Sequence, residues 1–171
     1  YENVYLLKNT AYLPLGFLAE DTLTQADFTE SEPFRLQNDL FTAATGLEGK
    51  VWNTIEGDQV VTLGNGTQVT DSTIQGKLNY TECDSDAYVS YFFSPTSSGF
   101  VCVNLDLPKR NDFVVCVNGV ELYRETISLP QMLAVGDVTP MDSVEVRVLC
   151  DKGESGTMTV TAAQLDNDLF F

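Results

Sequence analysis

Catalysis near neutral pH needs groups that can ionise, attack or ligate, and this 171-residue chain is short of them. It has no histidine, which removes the usual general base and the commonest zinc ligand. Its serines and threonines therefore lack the partner that would turn one into a nucleophile. Neither Gly-x-Ser-x-Gly nor the phosphate-cradling G-x-x-x-x-G-K occurs. The four cysteines, Cys83, Cys102, Cys116 and Cys150, form no C-x-x-C pair. If strands over 99–105 and 112–117 close a hairpin around Lys109, Cys102 falls nearly opposite Cys116. A cross-strand disulfide and two buried thiols are both open on that geometry.

Oxygen donors and aromatic faces are what remain. With 25 acidic residues, two carboxylates flanking a sugar are a conceivable glycosidase pair, but no spacing singles one out. Asp84-Ser85-Asp86 and Asp166-Asn167-Asp168 are short runs of hard donors in turn-like sequence. Asp84 and Asp86 are the candidate calcium ligands, although neither run has EF-hand spacing and acidic loop ends explain both as simply. No other cofactor is expected. Alternation over 87–93 puts Tyr88, Ser90 and Phe92 on one face and Val89, Tyr91 and Phe93 on the other. The second set is the more uniformly apolar, so it is the core face. Tyr88 and Phe92, with Trp52, are then the candidate sugar-stacking platform, against the plainer reading of cross-strand packing.

The elements that must position these residues read as follows. Two extended pieces, over 4–7 and 13–18, open the chain, with Pro14 marking the second as an edge. Residues 22–32 are polar and acidic, as in a surface loop. A helix follows from Pro33, a favoured first helical residue, with Phe34, Gln37, Phe41 and Ala44 on one stripe and Leu36, Leu40 and Ala43 beside it. Gly46 stands where a left-handed cap ends such a helix. Beyond Lys50 the period changes to two, with strands over 51–55, 59–63, 68–71, 72–80, 87–93, 99–105, 112–117, 120–124, 143–150 and 156–164. Asn65-Gly66 carries a two-residue hairpin signal. In 144–150 the valines and Cys150 face one way and Glu145 and Arg147 the other. Short strands without intervening helices predict a mainly β fold, an antiparallel jelly-roll-like β-sandwich. An N-terminal extended segment and helix over 1–48 would pack on a sandwich over 49–171.

A formal net charge of −16 repels nucleic acid backbones and anionic lipid surfaces. No apolar run reaches the roughly 18 to 20 residues that span a bilayer. Opening at Tyr1, the chain reads as one region of a longer protein.

The ordered motifs Tyr5-Leu6-Leu7-Lys8-Asn9, Leu13-Pro14-Leu15-Gly16-Phe17, Pro33-Phe34-Arg35-Leu36-Gln37-Asn38 and Thr45-Gly46 resemble those of the bacterial YfhO membrane-protein family. Val117-Asn118-Gly119 and Leu133-Ala134-Val135-Gly136-Asp137 are similar to the β-domain that follows in that family. The Tyr5 to Asn9 spacing is looser than the family pattern, and Leu107-Pro108-Lys109-Arg110-Asn111 only faintly echoes a family motif that carries Gly-Trp. The resemblance implies a polytopic membrane protein of mainly Gram-positive bacteria, similar to lipid-sugar-dependent glycosyltransferases that act on cell-wall polymers such as lipoteichoic acid. It implies that this chain is an extracytoplasmic, non-catalytic accessory domain. Its partners would be the membrane part of its own parent chain and cell-wall glycan, not nucleic acid. An independent carbohydrate-binding module or a structural surface domain is the alternative.

Overall fold

The computed structural model describes residues 20–55, 62–63, 68–73, 77–81, 87–107 and 109–170. The extended pieces over 4–7 and 13–18, the Asn65-Gly66 turn, Cys83, Asp84 and Asp86 lie outside those residues. The chain order begins with a 3-10 turn, Asp21–Gln25, then helix α1 (Pro33–Thr45). Strands β1 (Trp52–Ile55), β2 (Thr62–Leu63), β3 (Gln68–Thr73), β4 (Lys77–Thr81), β5 (Ala87–Phe93) and β6 (Gly99–Asp106) follow. After them come β7 (Asn111–Val117), β8 (Val120–Ile127), β9 (Gln131–Val138), β10 (Val144–Cys150), β11 (Gly156–Leu165) and a short helix α2 (Asn167–Phe170).

The strands make two antiparallel sheets. One runs β3-β4-β11-β6-β9, with β1 on the far half of β11; the other runs β2-β5-β10-β7-β8. One core joins them: Val101, Val103 and Leu105 of β6 and Met158 and Val160 of β11 meet Val89, Tyr91 and Phe93 of β5 and Val144, Val146 and Val148 of β10. Every one of these is buried because strict alternation turns each second side chain inward. Each such valine or leucine contributes about 1.5 to 3 kcal/mol relative to exposure. This is the antiparallel, jelly-roll-like β-sandwich that the alternation predicts.

Chain connectivity departs from a simple meander. Among the described residues, β3–β4 and β7–β8 are hairpins between consecutive strands, and the other consecutive strands lie in opposite sheets. The region 72–80, which reads as one strand, is divided between β3 and β4, paired with each other. The strands on either side of Asn65-Gly66 go to different sheets, so they form no hairpin. The Asn-Gly turn that does close one is Asn118-Gly119, with φ of 52° and 77°, both in the left-handed region an asparagine and a glycine tolerate. Strand β9 escapes the sequence because it is a sheet edge, with Leu133 and Val138 its buried residues.

The same connectivity corrects the cysteine geometry. Strand β6 lies in the six-stranded sheet and β7 in the five-stranded one, so no hairpin brings Cys102 to Cys116. Cys102 packs beside Phe34 and Trp52, whereas Cys116 pairs across from Glu145 on the other sheet. Cys102, Cys116 and Cys150 are free, and burial raises the thiol pKa of the first two.

Helix α1 forms where its sequence stops and starts it. The Glu32 carboxylate accepts hydrogen bonds from the backbone N–H of Phe34 at 3.3 Å and of Arg35 at 2.7 Å, and Gly46 closes the helix at φ 68°. Its apolar stripe lies on the outer face of the six-stranded sheet, where Phe34 is fully buried against Trp52, Cys102 and Ala163. Polar anchors fix it there. Asn38 accepts from the Trp52 N–H at 2.8 Å and donates to the Trp52 carbonyl at 2.9 Å, and Thr161 of β11 donates to Glu32 at 3.3 Å. The segment expected to be wholly loop before it contains the 3-10 turn, tied to the helix end by Glu20 N–H to the Ala44 carbonyl and by Thr22 Oγ1 to the Ala43 carbonyl.

Candidate functional site

The outer face of the five-stranded sheet carries the aromatic pair. As the alternation requires, Tyr88, Ser90 and Phe92 point away from the core along β5, with Tyr88 and Phe92 half-buried. The β5–β10 register sets Phe92 across from Glu145, Ser90 across from Arg147 and Tyr88 across from Leu149. Cys116 and Val114 of β7 continue the rows beside Glu145 and Arg147.

A charged network occupies the centre of this face. Arg147 reaches back along its own strand to Glu145, Nε to Oε1 at 2.8 Å and Nη2 to Oε2 at 2.9 Å, a two-pronged pair. Ser90, with no exposed surface, donates to Glu145 Oε1 at 2.6 Å. Glu145 is 5% exposed, yet each of its oxygens has a donor, which is the condition for a carboxylate to stay buried. The hydrogen bonds to Glu145 are the first cause of a guanidinium pKa raised further for Arg147. The guanidinium carbon stands 4.7 Å from the centre of the Tyr88 ring, a cation–π contact that fixes the ring. Arg147 keeps a third of its side chain exposed while its guanidinium lies over the Tyr88 ring, diagonally across the strands from Phe92.

Trp52 does not belong to this group, which corrects its place in the expected platform. It lies on β1 of the opposite sheet, under helix α1, and is 9% exposed. Its ring packs 5.3 Å from that of Phe34 and its Nε1 donates to Gln37 Oε1 at 2.7 Å. A ring covered by a helix and spent on a glutamine offers no free face to a sugar. The acidic run at 166–168 also has structural duties. Asp166 accepts from the Leu169 N–H at 3.1 Å at the start of α2 and from Asn53 Nδ2 at 3.3 Å. Among the described residues no group of three or more histidines, cysteines or acids is placed to hold a metal.

Sequence reasoning missed the role of Ser90 and the way Glu145 and Arg147 grip each other. The signal present was their shared outward face at a spacing of two. The contact with Ser90 and Tyr88 depends on strand register, which no local pattern carries.

Two facing antiparallel sheets, one covered by a helix and one bearing a polar aromatic face, define a β-sandwich module; among the described residues no helix is long and apolar enough to cross a bilayer. The profile of the family described as "Bacterial membrane protein YfhO" matches residues 1–170. The chain belongs to that family. Among curated proteins nothing matches it. Similar solved structures include a CBM35 from Paenibacillus barcinonensis, 12% identical with a TM-score of 0.42, covering 67% of this chain and 99% of that one. The CBM36-1 domain of a multidomain xylanase from the hindgut metagenome of Trinervitermes trinervoides is 11% identical with a TM-score of 0.41, covering 66% and 94%. A family two carbohydrate esterase from Clostridium thermocellum is 11% identical with a TM-score of 0.40, covering 64% of this chain and 32% of that one, so the match spans about a third of the enzyme. These likenesses add nothing to the case for any ligand here.

Proposed function

We propose that this chain is a non-catalytic docking domain on the extracytoplasmic side of a polytopic YfhO-family membrane protein. It holds a glycan or a cell-wall acceptor for sugar transfer carried out in the membrane part of the same protein. The observation that carries this reading is the outer face of the five-stranded sheet. There Tyr88 and Phe92 flank an Arg147 fixed by Glu145 and still partly open to solvent. Aromatic rings next to a guanidinium held in place suit the alternating CH and OH surfaces of a sugar. A net charge of −16 works against close contact with bare phosphates. An acceptor such as lipoteichoic acid would therefore be gripped through its sugar groups.

The test has two arms. The 171-residue chain should bind fragments of wall glycan on an array, and Tyr88→Ala should abolish that binding while leaving the fold intact by circular dichroism. In cells, removing these residues from the membrane protein should lower sugar transfer to the wall polymer at unchanged protein level. A blank array together with undiminished transfer would falsify the docking role.

A further inference from the structure

The geometry points to a second binding site, a polar cleft that takes one sugar or polyol unit without negative charge, and an ammonium-bearing unit more tightly than its neutral counterpart. The cleft lies where the 94–98 loop between β5 and β6 approaches the end of β11, and its volume is about 460 Å³. That falls within the range of ligand pockets, about 300 to 1,000 Å³. None of its residues belongs to the Tyr88–Phe92 face, and its case does not depend on that reading.

The frame of the cleft is fixed before any ligand arrives. Gln164, itself buried, clamps the loop by two hydrogen bonds. Ser97 Oγ donates to its Oε1 at 2.9 Å, and its Nε2 donates to the Ser97 carbonyl at 2.9 Å. Gly99 lets the loop come this close, since a Cβ there would stand 2.8 Å from Gln164 Nε2. On the facing wall Asp166 spends one oxygen on the Leu169 N–H and the other on Asn53. A rigid frame lowers the ordering cost of binding.

The lining is where hydrogen-bonding capacity is left over. Among the described residues, Thr54, Thr96, Ser98, Asn167 and Asp168 line the cleft; all are exposed, and their side chains have no hydrogen-bond partner within the chain. Three hydroxyls, an amide and a carboxylate facing one space match a ring of ligand hydroxyls, which both donate and accept. Charge selects further. Asp166 and Asp168 line the cleft, no lysine or arginine does among the described residues, and the whole chain carries −16. A phosphate or carboxylate on the ligand would meet like charge, whereas an ammonium would meet the free carboxylate of Asp168. Among the described lining residues there is no aromatic ring to stack on, so single units bind weakly.

Amide chemical shifts of the 171-residue chain, followed by NMR, test this with three probes: glucosamine, methyl glucoside and glucose 6-phosphate. Saturable shifts are expected at Thr54, Ser98, Asn167 and Asp168 with the first two probes, tighter for glucosamine, and none with the phosphate. Asp168→Asn should weaken glucosamine about fivefold and leave methyl glucoside unchanged. Tyr88→Ala should leave all of these shifts as they were. A cleft silent to every probe, or one that takes glucose 6-phosphate as well as glucosamine, overturns the assignment. Shifts centred on Tyr88 and Phe92 with a silent cleft do so too, while sparing the docking face.

Discussion

The two outer faces of this sandwich are built from the same alternation and put to opposite uses. On the six-stranded sheet the outward residues include Trp52, Cys102 and Ala163, small or apolar enough to receive Phe34 of helix α1 and form a second core. On the five-stranded sheet the outward residues include Tyr88, Ser90, Phe92, Glu145 and Arg147, of which Ser90, Glu145, Arg147 and Tyr88 contact one another. An apolar outer face must be covered by something, and the helix covers it. A face whose charges are already paired can stay partly open, and that is where recognition can take place.

The largest test of this contrast is Phe34→Ala. Losing a buried aromatic should cost about 3 kcal/mol or more and loosen α1 from the sheet. Urea unfolding would report the cost, and the emission of Trp52, the single tryptophan, would shift to the red as its cover leaves. A stable variant with unshifted emission would mean that the helix is not held by that ring.

Glu145→Ala attacks the other face. It strands the fully buried Ser90 hydroxyl and the guanidinium of Arg147, for a cost of about 2 kcal/mol, tempered because Arg147 is a third exposed. Adding Arg147→Ala should recover part of that loss, because an unpaired charge costs more than an absent pair. If the double variant is worse by the full sum of both changes, the pair is not coupled.

Tyr88→Ala separates recognition from folding. Stability should drop by about 1 kcal/mol, the worth of the ring's contact with Arg147, while glycan binding disappears. Equal loss of both would make this face structural.

The smallest effect lies at the seam between the sheets, where Tyr123 of β8 donates to the Ala134 carbonyl of β9 at 3.5 Å. Burial, and then the charge of Glu125, push its phenol from 10.0 to about 12. The folded state therefore favours the protonated phenol. Its contribution to stability is whole below pH 10 and is lost as pH rises from about 10 to 12. Ultraviolet titration should show a late-ionising tyrosine that Tyr123→Phe removes. A titration curve unchanged by that substitution would place the late phenol elsewhere.

Local signals in the sequence carried more of the fold than of the site. Pro33, the stripe through Phe34 and Gly46 delimit α1 because caps and periodicity are short-range properties. Alternation through Val144, Val146 and Val148 gives the core face of β10, and the same rule separates Tyr88 and Phe92 from Tyr91 and Phe93. It could not tell that Trp52 and Tyr88 stand on different sheets. Nor could it tell that the turn signal at Asn118-Gly119, rather than the one at Asn65-Gly66, closes a hairpin.

The amino-acid order alone settled the layered β class, the helix with its ends, and which side of each strand is apolar, because each depends on neighbours a few positions apart. Tertiary structure alone decided that nearly every connection crosses between the sheets, which separates Cys102 from Cys116 and brings Ser90 to Glu145. The reason is physical: period two fixes a side chain's direction relative to its own strand, whereas its partners are chosen by the burial of all the strands together.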